Sequence, residues 1–249
     1  MRKILWIAAL AGLLTGAVAQ GVVFYQSDFT GADLASAGLQ SSANTAGGSW
    51  SLNTANVRAQ FAGTAVNGRA NLNTINGWTN AAGLQVEVSW LQTAAGTWSE
   101  FGLMDANVAI SANPPLQNVA AQYGIGFAIN GGTTSAFIRN TNSTAELVLS
   151  TAQGAYTVNA LNTMLFTVTS TNWSYSLNGA AATTGTFATP FDTSKGFRFY
   201  SFLSTPTANA LNGSYVSDIT VSSIPEPATI GMLGLGAIIT VLIRRTRLA

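Results

Sequence analysis

Between Val22 and Ser223 the apolar residues of this 249-residue chain come in short β-branched and aromatic runs, broken by clusters of Gly, Asn, Ser and Thr. No long window repeats at the helical period. A helix needs an apolar residue at every third or fourth position, whereas a half-buried strand needs only alternation. The segment is therefore confined to all-β architectures, an antiparallel sandwich or barrel. The run Leu84-Gln-Val-Glu-Val-Ser-Trp90 shows why: Leu84, Val86, Val88 and Trp90 share one face, and Gln85, Glu87 and Ser89 the other. One face packs and one is wet, as in an antiparallel sheet. In the run from Gly196 to Leu203, Phe197, Phe199, Ser201 and Leu203 oppose Arg198, Tyr200 and Phe202. The second face here is not simply polar and is a candidate groove lining.

The same reading predicts strands at 22–26, 49–53, 57–61, 84–92, 98–104, 122–129, 134–139, 146–150, 164–169, 173–177, 196–203 and 215–222. Asn130-Gly131-Gly132 and Asn178-Gly179 follow strand candidates and supply residues tolerant of positive φ, as tight hairpins require. Pro114-Pro115 marks a loop. No fixed-period repeat is visible, which disfavours a solenoid or propeller.

Both ends differ from this middle. Arg2 and Lys3, the apolar stretch from Ile4 to Leu14, and Ala17-Val18-Ala19 have the layout of a secretory signal peptide. At the other end, Pro225-Glu226-Pro227 precedes a chargeless apolar run from Ala228 to Ile243, followed by Arg244, Arg245 and Arg247. The run is close to the shortest helix that crosses a bilayer core. The arginines after it stay on the cytoplasmic side, which places the bulk of the chain outside. The prolines disfavour helix around them and make the strip extended and accessible.

This order of Pro-Glu-Pro strip, apolar helix and arginine cluster resembles the PEP-CTERM sorting signal of exported bacterial proteins. The resemblance implies export through the inner membrane and cleavage near Pro225-Glu226-Pro227 by an exosortase, a membrane-embedded transpeptidase-like cysteine protease. Delivery to the cell surface or extracellular polysaccharide matrix follows. The expected organisation is a leader over 1–19, an ectodomain over 20–223 and a sorting signal over 224–249.

Without the two ends, five basic residues remain against eight acidic ones. No basic patch is present to neutralise phosphates, so nucleic acid is not an expected partner. The chain contains no Cys and no His. The fold must rest on its core, and the commonest general base, the Ser-His and Cys-His pairs and the usual zinc ligands are all missing. No cofactor is expected.

Asp28-Phe29-Thr-Gly31, the segment from Thr167 to Asn178-Gly179 and the closing strand Val216-Ser-Asp-Ile-Thr-Val-Ser222 are similar to concanavalin A-like, laminin G-like jelly rolls. That family includes glycoside hydrolases, which place Glu-x-Asp-x-Glu on one strand. Only Glu87 of that pattern is present, with Ser89 and Leu91 at the other positions. Glu100 on the next strand is the one carboxylate expected to approach Glu87, across a hairpin, and two facing carboxylates are what glycoside hydrolysis requires. A solvated pair of strand carboxylates is the plainer expectation, and the protein is read as non-enzymatic. A lectin-like site would use an aromatic face against a sugar ring; Trp78, in the polar loop Asn76-Gly-Trp-Thr-Asn80, is the first candidate, although large strand aromatics are usually core. Asp105-Ala-Asn107 and Asp28 with Asp33 are too sparse for a dedicated calcium loop. The expected function is a surface or matrix protein whose uncharged, hydroxyl- and amide-rich face associates with extracellular polysaccharide.

Overall fold

The structure is a computed structural model and describes residues 21–224 apart from 28, 44–46, 66–67, 80–81, 95–97, 108–123, 131–132, 140–146, 152–156, 188–189 and 206–207. The predicted leader, Asp28, Pro114-Pro115, Gly131-Gly132, Pro225-Glu226-Pro227, Arg244, Arg245 and Arg247 lie outside the described residues. Those described form only strands and their connections: β1 Val23–Gln26, β2 Leu39–Ala43, β3 Gly48–Asn53, β4 Arg58–Gly63, β5 Arg69–Thr74, β6 Leu84–Leu91, β7 Trp98–Asp105, β8 Gly124–Asn130, β9 Thr133–Arg139, β10 Leu147–Thr151, β11 Leu161–Val168, β12 Asn172–Leu177, β13 Thr183–Thr186, β14 Phe197–Ser204 and β15 Tyr215–Ser223.

Every pairing among them is antiparallel, and they make two sheets. The eight-stranded sheet runs β13-β12-β11-β6-β15-β4-β3, with β1 also on β15; the seven-stranded sheet runs β10-β9-β8-β7-β14-β5-β2. This is the all-β antiparallel sandwich expected from the alternation. Leu84, Val86, Val88 and Trp90 all face the core, and so do Phe197, Phe199 and Leu203.

Aromatic contacts close the two sheets on each other. Trp90 of β6 meets Phe101 of β7 with ring centroids 4.6 Å apart. Phe127 of β8 meets Phe166 of β11 at 4.6 Å and Tyr175 of β12 at 5.2 Å. The Trp50 indole on β3 donates to the Ala70 carbonyl on β5 at 3.2 Å, an inter-sheet hydrogen bond inside the core.

The Asn178-Gly179 turn forms as its residue types demand. Both residues have positive φ, 51° and 71°, and the Ala180 amide donates to the Leu177 carbonyl at 3.0 Å. On the other predicted hairpin, β8 and β9 pair with Asn130 opposite Thr133.

Candidate functional site

The outer face of the eight-stranded sheet follows directly from strand alternation. Along β11 and β12 every second residue is buried, which leaves Thr163, Leu165 and Thr167 and then Asn172, Ser174 and Ser176 outside. Register aligns these residues into rows that cross the strands. One row runs Ser222, Gln85, Thr167, Ser174, Thr184, and the next runs Thr220, Glu87, Leu165, Ser176. Neighbouring hydroxyls bond along the rows: Thr167 Oγ1 lies 2.6 Å from Ser174 Oγ, and Ser89 Oγ lies 3.1 Å from Thr163 Oγ1. Either oxygen of such a pair can donate, so the face can present donors or acceptors to match a ligand.

At the β13 edge this face dips into a groove of about 360 Å³ lined by Thr167, Thr169, Asn172, Ser174, Thr184 and Thr186, with Trp173 and Gly185 between them. None of these residues carries a charge. A second depression of about 500 Å³ is lined by Leu34, Leu39, Trp50 and Leu52 beside Asp33 and Gln40. The Asp33 carboxylate there accepts from the Ser36 amide at 2.8 Å, and that bond with the Ser36 hydroxyl holds its pKa below the ordinary carboxylate value. It is occupied in its own turn.

The outer face of the seven-stranded sheet is different. Register brings Asn71 and Asn73 of β5 beside Phe202 and Tyr200 of β14, and these beside Glu100 and Gly102 of β7. Apart from Ser204 all of β14 is buried, and Asn71, Asn73 and Glu100 are fully so. The Arg198, Tyr200 and Phe202 face is thus interior and not an open groove. The Tyr200 hydroxyl donates to the Glu100 carboxylate. Burial pulls the Arg198 guanidinium below its ordinary pKa, and the nearby Asp105 charge partly offsets this.

Asn73 has both Oδ1 and Nδ2 buried without a hydrogen-bond partner. An unpaired buried amide costs about 1–3 kcal/mol. Replacing Asn73 with the near-isosteric Leu is therefore expected to raise the denaturation midpoint at unchanged m-value. A lower midpoint would show that the amide is paired in solution.

Glu87 and Glu100 do not meet. β6 pairs with β11 and β15, whereas β7 pairs with β8 and β14, so the expected hairpin between them does not exist. Glu87 is exposed on the outer face of one sheet, and Glu100 is buried on the outer side of the other. The whole sandwich separates the two carboxylates, and the paired geometry of a glycoside hydrolase is not formed. Asp105 is engaged elsewhere, 3.6 Å from Lys195 Nζ and accepting from the Asn107 amide at 2.9 Å. Among the described residues no three of His, Cys, Asp and Glu gather as a metal site, and no helix is long and apolar enough to cross a membrane.

Trp78 is half-buried. Its amide donates to the Phe197 carbonyl at 2.7 Å and its carbonyl accepts from the Phe197 amide at 2.8 Å, while its ring lies 5.7 Å from that of Tyr25. The groove residues Thr184 and Thr186 were not singled out by sequence reasoning. Their signal was the Asn178-Gly179 turn, which returns the chain alongside β12.

Residues 223–247 match the PEP-CTERM protein-sorting motif. The chain carries a PEP-CTERM signal. The motif contains Pro225-Glu226-Pro227 and the three arginines, and it marks an exported protein handled by an exosortase. No curated protein matches the sequence. Among solved structures, the chain is similar to a Bacillus subtilis protein of unknown function with a galectin-like fold, at TM-score 0.63 and 8% identity over 84% of this chain and 99% of that one. It is also similar to the metal-free Emp46p carbohydrate recognition domain, at TM-score 0.61 and 8% identity over 79% and 94%. The Ca2+-bound VIP36 exoplasmic/lumenal domain gives TM-score 0.60 and 6% identity over 82% and 91%. These likenesses establish a lectin-like jelly-roll fold for the sandwich, and one such fold serves many functions.

Proposed function

We propose that the mature protein is a non-enzymatic component of the cell surface or extracellular matrix, associated with polysaccharide through the outer face of its eight-stranded sheet. The observation that carries this reading is the chemistry of that face: rows of Ser, Thr, Asn and Gln across β15, β6, β11, β12 and β13, interrupted by Leu165 and with Glu87 and Asp218 as their acids. Neutral polysaccharide offers hydroxyls that donate and accept, and this face answers in kind. The separation of Glu87 from Glu100 and the absence of His support a binding role over a hydrolytic one.

In this reading the inner membrane holds the chain through its C-terminal apolar run until an exosortase cuts near Pro225-Glu226-Pro227. A second reading, a lectin-like module with one defined sugar site, is favoured by the fold likeness to carbohydrate recognition domains and would rest on Trp78.

The test is intact-mass analysis of the protein from an exosortase-bearing host, together with its partition between cells and extracted matrix. The expected mass lacks the tail after the Pro-Glu-Pro strip, and the protein accompanies the polysaccharide. Changing Pro225, Glu226 and Pro227 to Ala is expected to retain the tail and leave the protein in the membrane fraction. Retention of residues 228–249 in the unaltered protein would overturn the processing, and absence from the polysaccharide fraction would overturn the association.

A further inference from the structure

The groove at the β13 edge has a direction and a repeat. Its six polar residues belong to two rows, Thr167, Ser174 and Thr184 on one side and Thr169, Asn172 and Thr186 on the other, each crossing β11, β12 and β13 or the residue just past β11. Between the rows the floor is the backbone of Trp173 and Gly185. The Trp173 indole backs Gly185 from the core side so closely that a Cβ there would lie 2.3 Å from the ring. The rows are two residues apart along each strand, about 7 Å, and within a row the repeat is the inter-strand distance of about 4.8 Å.

That repeat is close to the length of one pyranose unit in an extended β-linked glycan. A chain lying along the groove would therefore present one sugar to each strand, with its ring edges against both rows. A helical α-linked glucan curves out of such a line. Asn172 spends its side-chain amide nitrogen on Thr171 Oγ1, and among the described residues neither its side-chain oxygen nor the hydroxyls of Thr184 and Thr186 are seen to bond a side chain, so they can face sugar hydroxyls. Since β13 is the edge strand, the groove is open at that end and a long polymer can continue past it. The lining contains no charge, which suits a neutral polymer and gives an acidic one no counter-ion.

We propose that this groove is a binding site for an extended, neutral β-linked polysaccharide, about three sugars long and running across the strands; it rests on the matrix-association reading above and gives it a ligand class. The test titrates the full-length chain, in detergent, with cellohexaose, maltohexaose and an oligogalacturonate. Parallel assays use matrix polysaccharide from the producing bacterium.

Cellohexaose is expected to bind and the other two not. Thr184→Tyr, an exposed change that fills the groove, is expected to abolish binding, and Asn172→Ala to weaken it roughly three- to tenfold, the loss of one neutral hydrogen bond. Trp78→Ala, outside the groove, is expected to bind as the unaltered chain does. Equal binding by Thr184→Tyr, or loss in Trp78→Ala alone, would overturn the groove as the site. Preference for maltohexaose or oligogalacturonate, or matrix binding with no cellohexaose binding, would overturn the ligand class while leaving matrix association standing. Failure to bind the matrix polysaccharide as well would remove both.

Discussion

Phe127→Ala is expected to lower the thermal midpoint by about 6–20 °C, from a loss of about 3–5 kcal/mol at about 2–4 °C per kcal/mol in a domain of this size. Phe127 is fully buried and is the residue of the seven-stranded sheet that touches both Phe166 and Tyr175 of the eight-stranded one. Its removal leaves a cavity between two sheets, and the surrounding strands are fixed by their ladders and cannot collapse into it. Without disulfides, since the chain has no Cys, the sandwich depends on such contacts, and a loss of this size is a large share of a typical domain's stability. Scanning calorimetry of the variant beside Phe127→Leu checks the argument. Leu keeps most of the volume and is expected to recover most of the midpoint. A shift of only one or two degrees for the Ala variant would mean that the sheets are held mainly elsewhere.

Gly102→Ala is expected to be comparably damaging although it adds a single methyl. A Cβ at Gly102 would stand 2.3 Å from the Ile125 carbonyl oxygen, 2.8 Å from Tyr200 Cε1 and 2.9 Å from Gly126 Cα. Two of these neighbours are backbone of the adjacent strand and cannot rotate away. The third is the ring that lies over Gly102 on its way to the Glu100 carboxylate. Overpacking and displacement of a buried carboxyl group from its hydroxyl partner together are expected to cost about 3–5 kcal/mol. A double-mutant cycle with Tyr200→Phe separates the two contributions. Coupling between the sites is expected, because once the hydroxyl is gone the ring can be displaced at smaller cost. Strict additivity would show that the damage is confined to the β7–β8 ladder.

The strands that were legible in the sequence are those with β-branched or aromatic residues in short runs between turn residues. All twelve predicted strands lie within a few residues of β1, β3, β4, β6 to β12, β14 and β15, and the alternation read in β6 and β14 puts Leu84, Val86, Val88, Trp90, Phe197, Phe199 and Leu203 on the core side. β2, β5 and β13 were not predicted. Their sequences, Leu-Gln-Ser-Ser-Ala, Arg-Ala-Asn-Leu-Asn-Thr and Thr-Thr-Gly-Thr, are too polar, and two of them too rich in Gly or Asn, for strand propensity to register. β5 is nevertheless central, because pairing with β14 and β2 satisfies its backbone and turns Ala70 and Leu72 inward. The groove was missed for the same reason, since β13 supplies one wall of it.

By itself the sequence determined the class of fold, the buried face of each strongly alternating strand, the Asn178-Gly179 turn and the sorting signal at residues 223–247. Each of these is a property of a few neighbouring residues, and local chemistry is sufficient to set it. Only the tertiary structure decided which strands pair. It sent β6 and β7 to different sheets, with Glu87 and Glu100 on opposite sides of the sandwich, and it brought Thr167, Ser174 and Thr184 into one row. Side-chain period fixes which way a residue points but not what lies beside it. The neighbour is chosen by burial and hydrogen-bond satisfaction summed over the whole domain, and a candidate site made of side chains from several strands exists only after that choice.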